Sequence, residues 1–127
     1  MNYYSFMNYL ESLEDYLERI LMLQERNGVV RSIDIATDMG FSKPSVSIAM
    51  KKLKEKAYIE IDDKGHISLT KAGYIIARKT LDKHEMLISL LTKIGVDEEV
   101  AREDACKIEH SLSDVTVNKL KELVEKL

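Results

Sequence analysis

Residues 58–70 read Tyr-Ile-Glu-Ile-Asp-Asp-Lys-Gly-His-Ile-Ser-Leu-Thr, and no other stretch constrains the fold as much. Apolar and polar residues alternate on both sides of Asp63-Lys64-Gly65, the pattern of a β-hairpin with a tight turn. Everything around it has helical spacing. Residues 9–27 place Leu10, Leu13, Leu17, Ile20, Leu21 and Leu23 on one helical face and stop at Asn27-Gly28. Ser32 is the expected cap of a short helix, Ile-Asp-Ile-Ala-Thr-Asp-Met, that stops at Gly40. Ser42 is the expected cap of the next helix. Pro44 falls in its first turn, where a missing N–H does little harm, and Val46, Met50 and Leu53 face inward. After the hairpin, Thr70 caps a long helix over about 71–94 that Gly95 closes. Asp97 starts another helix, with Glu98 and Glu99 in its first turn. A last helix over about 113–126 carries Val117, Leu120, Leu123, Val124 and Leu127.

The order helix, short helix, glycine turn, helix, hairpin is that of a winged helix-turn-helix. Ala36 lets two helices approach closely and Gly40 permits the turn between them. The second helix of such a unit enters the major groove and presents its N-terminal residues to base edges. Here these are Ser42, Lys43, Pro44, Ser45, Ser47 and Ile48. Lys51, Lys52, Lys54 and Lys56 follow, and Lys64 stands at the hairpin tip, all suited to phosphates. Net charge is −3, yet it is unevenly spread. Residues 1–42 carry 3 Lys and Arg against 7 Asp and Glu, residues 43–83 carry 10 against 5, and residues 84–127 carry 6 against 10. A basic middle between acidic ends joins an anion-binding element to one that binds cations or a partner.

The acidic end holds a second pattern. Residues 105–110 read Ala-Cys-Lys-Ile-Glu-His, so on a continuous helix Cys106, Glu109 and His110 share a face. All three are competent ligands for a first-row divalent metal. Asp15 and Glu18 are three apart on the first helix, and His84 sits in the long helix. Three helices can gather Asp15, Cys106, Glu109 and His110 around one ion, with Glu18, His84 and a shared Glu109 around a second. Each residue also has an ordinary alternative: a buried thiol acting as a small hydrophobe, a helix-end imidazole, first-turn acids. An enzyme built on Cys106 and His110 lacks a glycine-rich oxyanion loop and a cofactor fingerprint, so the chain is expected not to be an enzyme. A single cysteine cannot form an internal disulfide, which fits a reducing cytoplasm. No apolar run approaches the roughly 20 residues that span a bilayer, and the N-terminus lacks the pattern of a signal peptide.

The stretches Leu-Glu-Asp-Tyr-Leu-Glu-Arg-Ile (13–20), 42–59, 69–79, 83–99 and Asp104–Asp114 together resemble the diphtheria toxin repressor family, in particular its short, manganese-regulator-like branch. The resemblance implies a mostly α fold: a winged helix-turn-helix DNA-binding domain with a small β-hairpin wing over 1–71, then an α-helical metal-binding and dimerisation domain over 72–127. It implies a homodimeric repressor that binds operator DNA when Fe(II) or Mn(II) is bound and so controls metal uptake. Asp15, Cys106, Glu109 and His110 would form the main site, extended by Glu18 and His84. Asp15 matches the manganese branch and Cys106 the iron branch. Ile88 and Arg102 stand where the iron branch has the Glu and His of an ancillary site, which is therefore expected to be absent. Ile48 replaces a glutamine of the iron branch, which points to a different operator. The alternative is a metal-independent winged-helix regulator that responds to another ligand.

Overall fold

A computed structural model describes residues 3–127, with side chains from Ser12 onward. The elements run α1 (Tyr3–Asn27), α2 (Ser32–Met39), α3 (Lys43–Glu55), β1 (Ile59–Ile61), β2 (Ile67–Leu69), α4 (Lys71–Lys93), α5 (Glu98–Ile108) and α6 (Asp114–Lys126). The mostly α architecture with one small hairpin is the one expected. No helix among the described residues is long and apolar enough to cross a membrane. The chain divides inside α4 into two compact units, Met1–Arg78 and Lys79–Leu127.

In the first unit, α1 packs on α2 and β2, α2 on α3, and α3 on β1. The shared core holds Leu17, Ile20, Val30, Ile35, Val46, Met50, Leu53 and Ile59. The inward faces expected for α1 and α3 are therefore the buried ones, although Leu10 lies outside the residues whose side chains are described. α1 stops at Asn27 because Gly28 takes a left-handed φ of 82°, and α2 stops the same way at Gly40, φ 70°. Ser42 caps α3 as expected, accepting the Ser45 N–H at 3.3 Å. Ser32 does not cap α2. The N-cap is Arg31, whose backbone N–H is accepted by Asp34 Oδ2 at 2.9 Å, and Ser32 is the first helical residue. A carboxylate three residues on takes over the role that a serine hydroxyl would fill.

β1 and β2 pair antiparallel in the register Ile59↔Leu69, Glu60↔Ser68 and Ile61↔Ile67. Ile59 and Ile67 point into the core while Glu60 and Ser68 face water, so the alternation of the sequence is the alternation of burial. The Asp62 carboxylate accepts the backbone N–H of Lys64 at 2.9 Å and of His66 at 2.8 Å, and this fixes the tip. Thr70 caps α4, accepting the Gly73 N–H at 3.2 Å, and its hydroxyl donates to the Ala57 carbonyl at 2.7 Å.

The second unit places Met86, Leu87, Ala105 and Val117 in a core that Ile88, Leu112, Leu120 and Val124 complete. Of the apolar residues expected on α6, Leu123 and Leu127 are exposed. Asp97 caps α5 and Ser113 caps α6. The exposed Asp114 carboxyl, bonded by Lys79 at 3.0 Å, is held below the usual carboxylate range by that ammonium.

Gly73 has a role that periodicity does not reveal. A Cβ there would overlap the backbone carbonyl of Tyr58, so only glycine lets α4 start this close to the chain entering β1. Gly73→Ala should lower the stability to unfolding by about 2 kcal/mol, in the range of forced overpacking. A thermal melt checks this, and an unchanged midpoint would contradict the close approach.

Candidate metal centre and nucleic-acid interface

α5 is short and ends where its sequence becomes useful. Its buried stripe is Ala101, Ala105 and then Glu109, one residue every four. The helix stops at Ile108, Glu109 is its C-cap, and His110 stands in the following turn. The expectation that one continuous helix face carries Cys106, Glu109 and His110 is thus corrected. Glu109 is 0% exposed, whereas Cys106 lies on the exposed side of α5. The small side chains of Ala101 and Ala105 occupy the inward side, and the chain turns before His110 can continue the helical spacing.

Around the Glu109 carboxylate the second unit gathers two imidazoles. Nδ1 of His84, on α4, lies 2.8 Å from Glu109 Oε2, and Nε2 of His110 lies 3.3 Å from Glu109 Oε1. The side chains of His84 and His110 are only 12% and 3% exposed. A buried carboxylate is costly unless it is paired and hydrogen-bonded; the His84 ring meets Oε2 at hydrogen-bond distance, whereas Oε1, with the His110 ring 3.3 Å away, makes no hydrogen bond among the described residues. A neutral imidazole that donates through one nitrogen carries its lone pair on the other. Two such rings and one carboxylate form a nitrogen and oxygen donor set of the kind that binds divalent first-row metals. His84 with Glu109, and Glu109 with His110, present ligand-competent atoms within 4.8 Å of one another.

In the first unit, Glu18 on α1 is 4% exposed and Asp15, one turn earlier, is half-buried. Both carboxylates therefore sit on a helix face that is turned largely away from water. Ile88 packs into the core of the second unit, and the Arg102 guanidinium bonds Glu98 at 2.9 Å.

The residues expected to meet DNA lie at the surface. Ser42, Lys43, Pro44, Ser45, Ser47, Ile48, Lys51, Lys52 and Lys64 are all exposed, as are Lys54 and Lys56. The wing is tied down by contacts that a residue-by-residue reading of the sequence misses. Nη2 of Arg31, at the start of α2, lies 2.9 Å from His66 Nε2, and His66 Nδ1 lies 3.2 Å from Asp62 Oδ2. The sequence distance of Arg31 from His66 left no local signal for this link.

Two family models match the chain. Residues 8–67 match the iron dependent repressor N-terminal DNA binding domain, and residues 70–127 match the iron dependent repressor metal binding and dimerisation domain. A helix-turn-helix transcriptional regulator of Methanocaldococcus jannaschii is 39% identical over 118 residues, which cover 91% of this chain and 94% of that one. The regulator MntR of Bacillus subtilis is 36% identical over 114 residues, covering 90% and 80%. The solved structure of the manganese regulator SloR superposes with a TM-score of 0.78 at 32% identity and covers 91% of this chain. The chain spans 54% of the length of that structure.

The Asp62 carboxyl is held below its ordinary value, chiefly by the His66 N–H and also by the Lys64 N–H and the His66 ring. Its contribution to the wing is therefore present above the ordinary carboxylate range and lost as pH falls through the depressed value. A carboxyl titration by NMR should give an Asp62 midpoint below that of an unstructured aspartate. A midpoint at or above it would contradict the turn geometry.

Proposed function

The chain belongs to the iron-dependent repressor family, and from that premise we propose that it is a metal-responsive repressor that grips operator DNA as a homodimer when Fe(II) or Mn(II) is bound. The observation that carries this reading is the fully buried Glu109 carboxylate with an imidazole against each of its oxygens. We assign Glu109, His84 and His110 as ligands supplied by 72–127, the metal-binding and dimerisation half. Asp15 and Glu18 are the ligands supplied by 1–71, the DNA-binding half. Cys106 is assigned as a further ligand that tunes selectivity. A bound divalent ion supplies positive charge that offsets the carboxylates drawn from the two halves.

The residues have separate tasks. His84 and His110 hold the Glu109 carboxylate in one orientation and keep their rings away from bulk water. Asp15 and Glu18 repel other carboxylates when no cation is present. The buried donors are oxygen and nitrogen, a set suited to Mn(II) and Fe(II), whereas a thiolate favours Fe(II) and softer ions. A homodimer presents two α3 helices to half-sites about one helical turn apart, roughly 34–36 Å, and metal then sets how well the pair fits. A regulator of this kind acts on DNA in the cytoplasm and controls metal uptake.

Glu109→Ala and His110→Ala should each abolish metal-dependent operator binding in a mobility shift while the chain still runs as a dimer by size exclusion. A metal response like that of wild type would show the ligands to be elsewhere. Cys106→Glu should move the response toward Mn(II), and an unchanged preference in a metal titration would remove Cys106 from selectivity. Mn(II) at 100 times its Kd should raise stability by about 2.7 kcal/mol, since a ligand confined to the folded state stabilises by mass action. No shift in the melting midpoint would favour a regulator that responds to another ligand.

A further inference from the structure

The core-facing residues of α3 are Val46, Met50 and Leu53, which are 0%, 1% and 3% exposed. At about 100° per residue, Ile48 lies roughly opposite them, and it is 58% exposed. One exposed isoleucine is ordinary by itself. Its neighbours make it informative. Pro44, Ser45, Lys51 and Lys52 stand three or four residues away and share its face, so an apolar side chain sits among cations at the front of the helix.

Arg, Asn and Gln, the side chains that most often make forked base contacts, are missing from that helix. Residues 42–56 contain no Arg, Asn or Gln, so the forked contacts that pick out guanine by Arg and adenine by Asn or Gln cannot be made from this helix. Two of the three serines are occupied locally. Ser42 Oγ accepts the Ser45 N–H at 3.3 Å and donates to Ser45 Oγ at 2.8 Å. The lysines after Ile48 suit phosphates, which position a protein but do not specify sequence. The base edge in the major groove that rewards an apolar, branched side chain is the C5-methyl of thymine.

Resting on the DNA-binding role proposed above, we infer that Ile48 is a specificity-determining residue that packs on the C5-methyl of a thymine in each operator half-site. Duplexes bound by the full chain with Mn(II) would be selected from a randomised pool. Each thymine of the selected half-site would then be replaced by deoxyuridine, which removes only the methyl group. At one thymine per half-site, wild type should lose about fourfold in affinity, the scale of one buried methylene-sized group. Ile48→Ala, which changes an exposed position, should bind the thymine duplex more weakly and no longer distinguish thymine from uracil there. Ile48→Val should keep most of the discrimination. Wild-type indifference to every replacement would overturn the inference and leave the DNA-binding role intact. Unchanged sensitivity in Ile48→Ala would do the same. Failure to select any duplex, with or without metal, would overturn both.

Discussion

A carboxylate with no exposed surface, bracketed by two imidazoles, is the constraint on which the acidic half depends. Glu109 continues the stripe that begins with Ala101 and Ala105, and a third small or apolar residue there would pack without electrostatic cost. Well-packed hydrophobic replacements of buried ionic groups are often as stable as the originals. The Glu109 cluster is therefore poorly explained by stability alone and well explained by a cation. His84 comes from α4 and His110 from the turn after α5, so the cluster also fixes where α5 must end relative to α4.

The DNA-binding half is assembled by different means. Its helices are delimited by local devices: a left-handed glycine after α1 and after α2, a serine before α3, a threonine before α4. The wing is only three residues a side, too short to be stable on its own. It is held by Ile59 and Ile67 in the core, by the isolated pairing of Val30 with Ile67, and by the chain of polar contacts from Arg31 through His66 to Asp62. The lysines of α3 and Lys64 at the wing tip stay exposed.

Much of this was legible in the sequence because it depends on neighbours along the chain. The hairpin, the stops at Gly28, Gly40 and Gly95, the caps at Ser42, Thr70 and Asp97, and the buried face of α3 follow from periodicity and cap chemistry. The misses come from particular contacts rather than from spacing along the chain. Asp34 displaced Ser32 from the capping role because its carboxylate reaches back to the Arg31 N–H. Gly73 owes its place to the Tyr58 carbonyl, and His66 owes its orientation to Arg31, neither of which a periodic pattern can register. Cys106 follows Ala105 by one residue, so helical spacing turns it about 100° away from the stripe of Ala101, Ala105 and Glu109, to the exposed side of α5.

In a regulator whose metal governs operator binding, metal and DNA must act on each other's binding by the same factor, because coupling between two sites is reciprocal. The most direct measurement is calorimetric titration of the dimer with Mn(II), once alone and once saturated with a selected duplex. The account predicts tighter metal binding in the presence of DNA, by the factor with which metal tightens DNA. Equal metal affinities in the two titrations would show that the ion, wherever it sits, has no part in gripping the operator.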